Sequence, residues 1–331
     1  MLFNTKERMN TIVEERFPKR PRIIFMGTPE FAIPSLRSLI SEGHQILAVV
    51  TQPDRPEGRG KKITFSPVKK LALEYNILTL QPEKVSDTNF CSLIRDAAPD
   101  IIIVVAFGQI LSKELLMIPK WGAINIHASL LPKYRGAAPI QRAILNNESF
   151  TGLTILRIDE GLDAGPILYQ ESVQIKENET TGQLHDRLSG KASGLLTRFL
   201  GIMYEGEVKE TIQDDASATY APKIDKSMAM IEWNLDAQRI SSLIRALDPS
   251  PGAYTTIRGI KIKMFSPGIL DKGRLDTVPG RIVRKRKGIF AVETGKGIIE
   301  IGEAQCPGKK RLPSKDFLMG FPLPEGAILG R

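Results

Sequence analysis

The sequence is poor in cysteine: it has two, Cys91 and Cys306, far apart along the chain. That number excludes a disulfide framework and a cysteine metal cluster. No run of about eighteen apolar residues occurs, which excludes a membrane-spanning helix. The first twenty residues lack an apolar core and mix Glu7, Glu14 and Glu15 with basic side chains, so they do not read as a secretory signal. A reducing compartment, the cytoplasm, is the expected location. Two nucleotide signatures are also missing. Gly27 is followed by Thr28, Pro29, Glu30 and Phe31 instead of the G-x-G-x-x-G fingerprint, which argues against a nicotinamide-dependent dehydrogenase. The segment Gly58-Arg59-Gly60-Lys61-Lys62 is not a phosphate loop, because Arg55 stands where its first glycine belongs and Lys62 replaces the required Ser or Thr.

What is present is an ordinary globular composition, with 42% hydrophobic and 25% charged residues in 331. That length predicts two domains. The net charge of +9 is unevenly placed. Residues 227–331 hold 18 Lys/Arg against 10 Asp/Glu, whereas residues 1–226 hold 28 against 27. The last third therefore reads as a module facing a polyanion, nucleic acid first among them, or as a solubilising surface.

Residues 1–21 read as a loosely ordered leader, with Met9 an alternative start. Strands are expected at Ile23–Met26, Ile46–Thr51, Asp100–Ala106, Ala123–His127 and Thr154–Ile158. Helices are expected over 29–43, over 67–75 behind Ser66-Pro67, from Asp87 to Ala97, and over 181–204. The β-branched run Ile101–Val105 suits a strand buried on both faces. Strands alternating with helices make residues 22–207 a doubly wound, Rossmann-like α/β domain. Residues 52–62 form a long basic loop, either a phosphate-touching segment or a plain surface loop. Residues 208–226 read as a polar linker. After one helix near 237–247, short alternating segments predict a small OB-like β-barrel over residues 227–331.

Chemistry concentrates in Gly122–Pro132. Residues two apart on a strand share a face, so Asn125 and His127 project together while Ile124 and Ile126 point to the core. Downstream, Gly161-Leu162-Asp163-Ala164-Gly165 sets a carboxylate between two glycines, able to return toward the sheet. Each element has a bland alternative: a satisfied polar pair in the core, or a turn aspartate. Together, Asn, His and Asp suit acyl transfer to an amine. The carboxamide and imidazole stabilise charge on the carbonyl oxygen, and the carboxylate helps remove a proton. No serine or cysteine stands out as a nucleophile, which favours direct transfer. His44 and His185 read as loop and helix-surface residues.

These residues carry a resemblance. Gly27–Ala32, Thr51–Arg55, Gly58–Lys62, Asn125–Pro132, Tyr134–Gln141 and Gly161–Gly165 resemble the folate-dependent formyltransferase family. The basic loop, the Arg135-Gly136-Ala137-Ala138-Pro139-Ile140-Gln141 run and the appended barrel narrow the resemblance to its methionyl-tRNA formyltransferase branch. It runs from about Arg22 to the C-terminus. Ala128 and Tyr134 depart from the Gly and Trp frequent there.

The resemblance implies transfer of formyl from 10-formyltetrahydrofolate to methionyl initiator tRNA. No metal and no membrane partner are expected, and a monomer is. It implies catalytic roles for Asn125, His127 and Asp163. Phe107, Gly108, Gln109 and Ile110 would contact the folate, as would Ser129, Leu130, Leu131 and Pro132. Arg59, Lys61 and Lys62 would contact tRNA, Phe31 the methionine side chain. A rival member acting on a sugar or nucleotide amine would lack the basic barrel. A nucleic-acid-binding protein with a degenerate α/β domain would not keep Asn125, His127 and Asp163 together.

Overall fold

The computed structural model describes residues 16–57, 62–284 and 289–330. The first part alternates strands and helices: β1 (Arg22–Gly27), α1 (Ile33–Ser41), β2 (Gln45–Val50), a hairpin of β3 (Arg55–Glu57) and β4 (Lys62–Thr64), then α2 (Pro67–Glu74) and β5 (Thr79–Leu80). There follow α3 (Thr88–Ala97), β6 (Ile101–Val105), α4 (Lys113–Leu116), β7 (Ala123–His127), α5 (Pro139–Leu145), β8 (Phe150–Arg157), β9 (Ile167–Gln174) and α6 (Thr181–Glu205). Seven of the strands form one sheet in the order β5-β2-β1-β6-β7-β8-β9.

Strand β6 shows why the sheet sits where it does. All five of its residues are buried, and their side chains enter both apolar layers, Ile101, Ile103 and Val105 on one face and Ile102 and Val104 on the other. Helix starts follow side-chain chemistry. Asp87 accepts from the amides of Asn89 (3.0 Å) and Phe90 (3.2 Å), and Ser66 accepts from that of Lys69 (3.1 Å) ahead of Pro67. A reciprocal Thr180–Gln183 capping box opens α6.

The sheet is parallel as far as β7, but β7–β8 and β8–β9 pair antiparallel. A short loop can join antiparallel neighbours directly, and the β8–β9 loop is the one that carries Asp163.

The second part holds α7 (Ala237–Ala246), β10 (Tyr254–Ile257), β11 (Ile260–Asp271), β12 (Ile282–Arg284), β13 (Phe290–Glu293), β14 (Ile298–Gln305), β15 (Leu312–Pro313) and α8 (Ser314–Gly320). Its antiparallel sheet, β10-β11-β14-β13-β12 with β15 on β14, curls around a separate apolar cluster that includes Trp233, Ile262, Phe290 and Phe317. The chain's last described residues bridge the two edge strands. Gly326 and Leu329 amides donate to the Ile282 and Gly280 carbonyls (both 2.9 Å), and the Gly330 amide donates to Thr256 (2.7 Å). The barrel-like module expected from the sequence is thus a half-barrel completed by its own tail.

The two parts meet behind the first turn of α6. Thr181 Oγ1 donates to the Ala246 carbonyl (2.7 Å), and the Gly182 amide donates to that of Asp248 (3.0 Å). Buried Arg245 donates to the Glu179 carbonyl at 3.3 Å.

Three expectations change. The end of the supposed leader is packed, with Phe17 buried and edge-on to Trp121 at 5.5 Å between ring centroids. The flanks of the basic loop pair as β3 and β4 instead of running free, and Asp54 anchors their base by accepting from Lys69 (2.5 Å) and Gln81 (2.9 Å). The polar linker lies along the first domain: Arg135 and Tyr220 bridge, as do Ile167 and Thr211.

Candidate active site

The chain leaves β1 toward α1 and β2 on one side, and β6 toward β7 on the other. This switch point opens a crevice at the carboxyl ends of the strands, where open α/β sheets bind ligands. It is a cleft of about 600 Å³. Pro29 and Phe31 follow β1 into it, residues 106–111 follow β6, and Asn125 to Ala128 end β7. Gly136, Ala137 and the start of α5 form another wall, and residues 158–163 of the β8–β9 loop close the side.

Asn125, His127 and Asp163 converge here. Asn125 Nδ2 donates to Asp163 Oδ1 at 3.3 Å. The Gly136 amide donates to Asp163 Oδ2 at 2.8 Å, and His127 Nδ1 lies 3.5 Å from the same oxygen. His127 Nε2 is 2.9 Å from the Tyr134 carbonyl. A carbonyl only accepts, so Nε2 keeps its hydrogen and Nδ1 is the ring position left to gain or lose a proton. The imidazole is buried, and Ile124 and Ile126 pack into the core as the strand alternation requires.

Backbone conformation aims these groups. Asp163 has φ +49°, in the left-handed region that few side chains occupy. Two residues on, Gly165 has no alternative: a Cβ there would lie 1.9 Å from the Arg157 carbonyl oxygen. Tyr134 (φ +63°) turns its carbonyl onto His127 while its hydroxyl donates to Glu148 Oε1 at 2.6 Å. Burial, then the Glu148 hydrogen bond, push the Tyr134 phenol up to about 12.

Of the other expected contacts, Phe107, Gly108, Gln109 and Ile110 line the cleft. Gln109 also accepts from the Val85 amide at 3.0 Å, so its side chain ties this wall to the neighbouring loop. Phe31 is buried on the opposite wall. Ser129 to Pro132 do not line the cleft. Ser129 is fully buried and donates to the Lys133 carbonyl (2.7 Å), while Thr154 and Gln170 hold the backbone of 129–131 from behind. Arg59 and Lys61 lie outside the described residues, and Lys62 opens β4. Of the basic residues on the barrel, Arg281 and Arg311 are engaged internally, with Glu293 and with Asp248 and Glu303 respectively.

His185 corrects its sequence reading. It faces the cleft from the first turn of α6, edge-on to Phe31 at 5.3 Å between centroids, with Nδ1 2.9 Å from Asp186. Only the packing of α6 against the segment after β1 reveals it. Sequence reasoning also missed the Gly136 amide and the Tyr134 carbonyl, since backbone groups have no residue-type signal. Among the described residues no group of three or more His, Cys, Asp or Glu could hold a metal ion, and no helix is long and apolar enough to cross a membrane.

The formyl transferase family pattern matches residues 21–200, and that of the formyl transferase C-terminal domain matches residues 223–322. The chain belongs to the formyl transferase family. Within it, the chain is 46% identical over 309 residues to the methionyl-tRNA formyltransferase of Clostridium tetani (strain Massachusetts / E88), covering 93% of this chain and 99% of that one. The methionyl-tRNA formyltransferase of Alkaliphilus oremlandii (strain OhILAs) is 44% identical with the same coverage. Among solved structures, HypX from Aquifex aeolicus in complex with tetrahydrofolic acid superposes with a TM-score of 0.62 at 18% identity, over 95% of this chain and 51% of HypX, a likeness of fold. These relatives place the chain with the methionyl-tRNA formyltransferases.

Proposed function

We infer that the protein transfers the formyl group of 10-formyltetrahydrofolate to the α-amino group of methionine on initiator tRNA, in the cytoplasm. One observation carries the chemistry: Asn125, His127 and Asp163, from two separate elements, meet within hydrogen-bonding reach at the carboxyl end of β7.

Attack of the amine on the formyl carbon builds negative charge on the formyl oxygen. Asn125 donates one amide hydrogen to Asp163 and has a second for that oxygen. His127, with Nε2 committed to Tyr134, offers Nδ1–H when doubly protonated. The ammonium must lose one proton before attack and a second during it. Asp163, held by Asn125 and Gly136, passes the first to solvent. The second leaves the amine for Asp163 while doubly protonated His127 gives its Nδ1 proton to the folate nitrogen as that nitrogen's bond to the formyl carbon breaks. Asp163 Oδ2, 3.5 Å away, then returns a proton to Nδ1.

The cleft's volume falls within the range of small-molecule sites, about 300–1,000 Å³, and Phe107, Val104 and Leu111 give it an apolar wall for a flat ring. Ser129 to Pro132 support that wall from beneath through the backbone. Phe31 and His185 form the wall proposed for the methionine side chain. The catalytic part comprises residues 22–207, the connector 208–226, and the basic tRNA-facing part 227–331. Arg59, Lys61 and Lys62 are the proposed contacts to the tRNA acceptor end, and the enzyme acts as a monomer.

The test is transfer of radiolabelled formyl from 10-formyltetrahydrofolate to methionine-charged initiator tRNA, with uncharged tRNA and free methionine as controls. Label on the charged tRNA alone is the expected result. Label on a small amine, with none on the charged tRNA, would replace the acceptor.

A further inference from the structure

We propose that Gln213, in the connector after α6, is a positioning residue for Asp163. Gln213 is buried, with both amide hydrogens and its oxygen engaged. Nε2 donates to the carbonyls of Asp163 (2.8 Å) and Gly165 (2.7 Å), and Oε1 accepts from Arg135 Nε (3.1 Å). One side chain therefore joins the two loops that build the site. On one side lies the loop of Asp163. On the other is Arg135, between Tyr134, whose carbonyl holds His127, and Gly136, whose amide holds the Asp163 carboxylate. Asp163 needs such a brace. Its left-handed backbone persists only where its surroundings impose it. The connector is itself registered against β9 by paired Ile167–Thr211 hydrogen bonds, both 2.8 Å. Gln213 thus projects from a segment anchored two residues earlier, not from a loose linker.

The inference rests on Asp163 serving formyl transfer, so its test has one arm that needs no substrate. Gln213→Met removes all three hydrogen bonds at similar side-chain length. Gln213→Glu keeps an acceptor for Arg135 but turns carboxylate oxygens on the two carbonyls. In both variants kcat should fall about 10- to 100-fold, the cost of a misplaced reacting group, while KM for donor and tRNA stays within about threefold, because Gln213 is buried and does not line the cleft. In an Asp163→Ala background the Gln213 substitutions should cost no further rate, since the losses share one route. Amide hydrogen exchange in residues 158–166 should quicken in Gln213→Met whatever the acceptor proves to be. Wild-type kcat, or losses that add fully to that of Asp163→Ala, would overturn the positioning role. Unchanged exchange in residues 158–166 would overturn the brace itself, even if no formyl acceptor were found. Should Gln213→Met fail to fold, Gln213→Glu carries the same three comparisons.

Discussion

Asn125, His127 and Asp163 form a closed set in which most donors and acceptors are already committed within the protein. The commitment makes the site specific: His127 has one ring nitrogen free to exchange a proton, and Asn125 has one amide hydrogen to spare. Replacing Asn125 or His127 by alanine should lower single-turnover transfer by about 10²–10³, the cost of one oxyanion donor. Donor affinity, measured by fluorescence titration, should change far less. Tyr134 gives a spectroscopic check. With its phenol pushed up to about 12, a Tyr134→Phe variant should match the wild type in ultraviolet titration near pH 10 and differ only above it. The sign follows: a phenol that holds its proton more tightly folded than unfolded contributes stability below about pH 10. That contribution is lost as pH rises toward 12.

At the level of elements, the first turn of α6 joins the active site to the barrel. It presents His185 to the cleft and seats Ala246 and Asp248 through Thr181 and Gly182. Thr180→Ala removes the cap and should cost about 1 kcal/mol by denaturant melting. In the barrel, hydrogen bonds from Arg281 and Arg311 hold Glu293 and Glu303 below the usual carboxylate range. These groups release their protons more readily folded than unfolded. Their contribution is therefore complete above about pH 4.3 and fades as pH falls through their lowered values. Melts of wild type and Glu293→Gln should differ at pH 6 and converge as pH falls through the lowered Glu293 value.

Across the whole molecule, charge and architecture divide the labour. The excess positive charge lies in residues 227–331, but part of it is structural. Replacing exposed Lys261, Lys309 and Lys310 with glutamine should weaken tRNA binding and make it less sensitive to salt. The slope against log salt should flatten by roughly 0.7–0.9 for each phosphate no longer neutralised. Arg311→Gln should instead lower the melting temperature, because Arg311 bridges Asp248 and Glu303.

Local chemistry was legible in the residues alone. Buried β-branched runs specified the parallel strands, Asp87 and Ser66 announced their helices, and alternation on β7 put Asn125 and His127 on one face. The glycines around Asp163 are visible as residue types, and they marked it as a carboxylate free to turn back. Packing decided the rest. His185 enters the cleft only because α6 packs against the segment after β1, and Ser129 to Pro132 turn away from it because Thr154 and Gln170 take their backbone groups. The Gly136 amide, the Tyr134 carbonyl and the bonds of Gln213 across two loops leave no trace in residue type. A hydrogen bond between distant segments depends on where the chain brings its backbone, and only the assembled fold sets that.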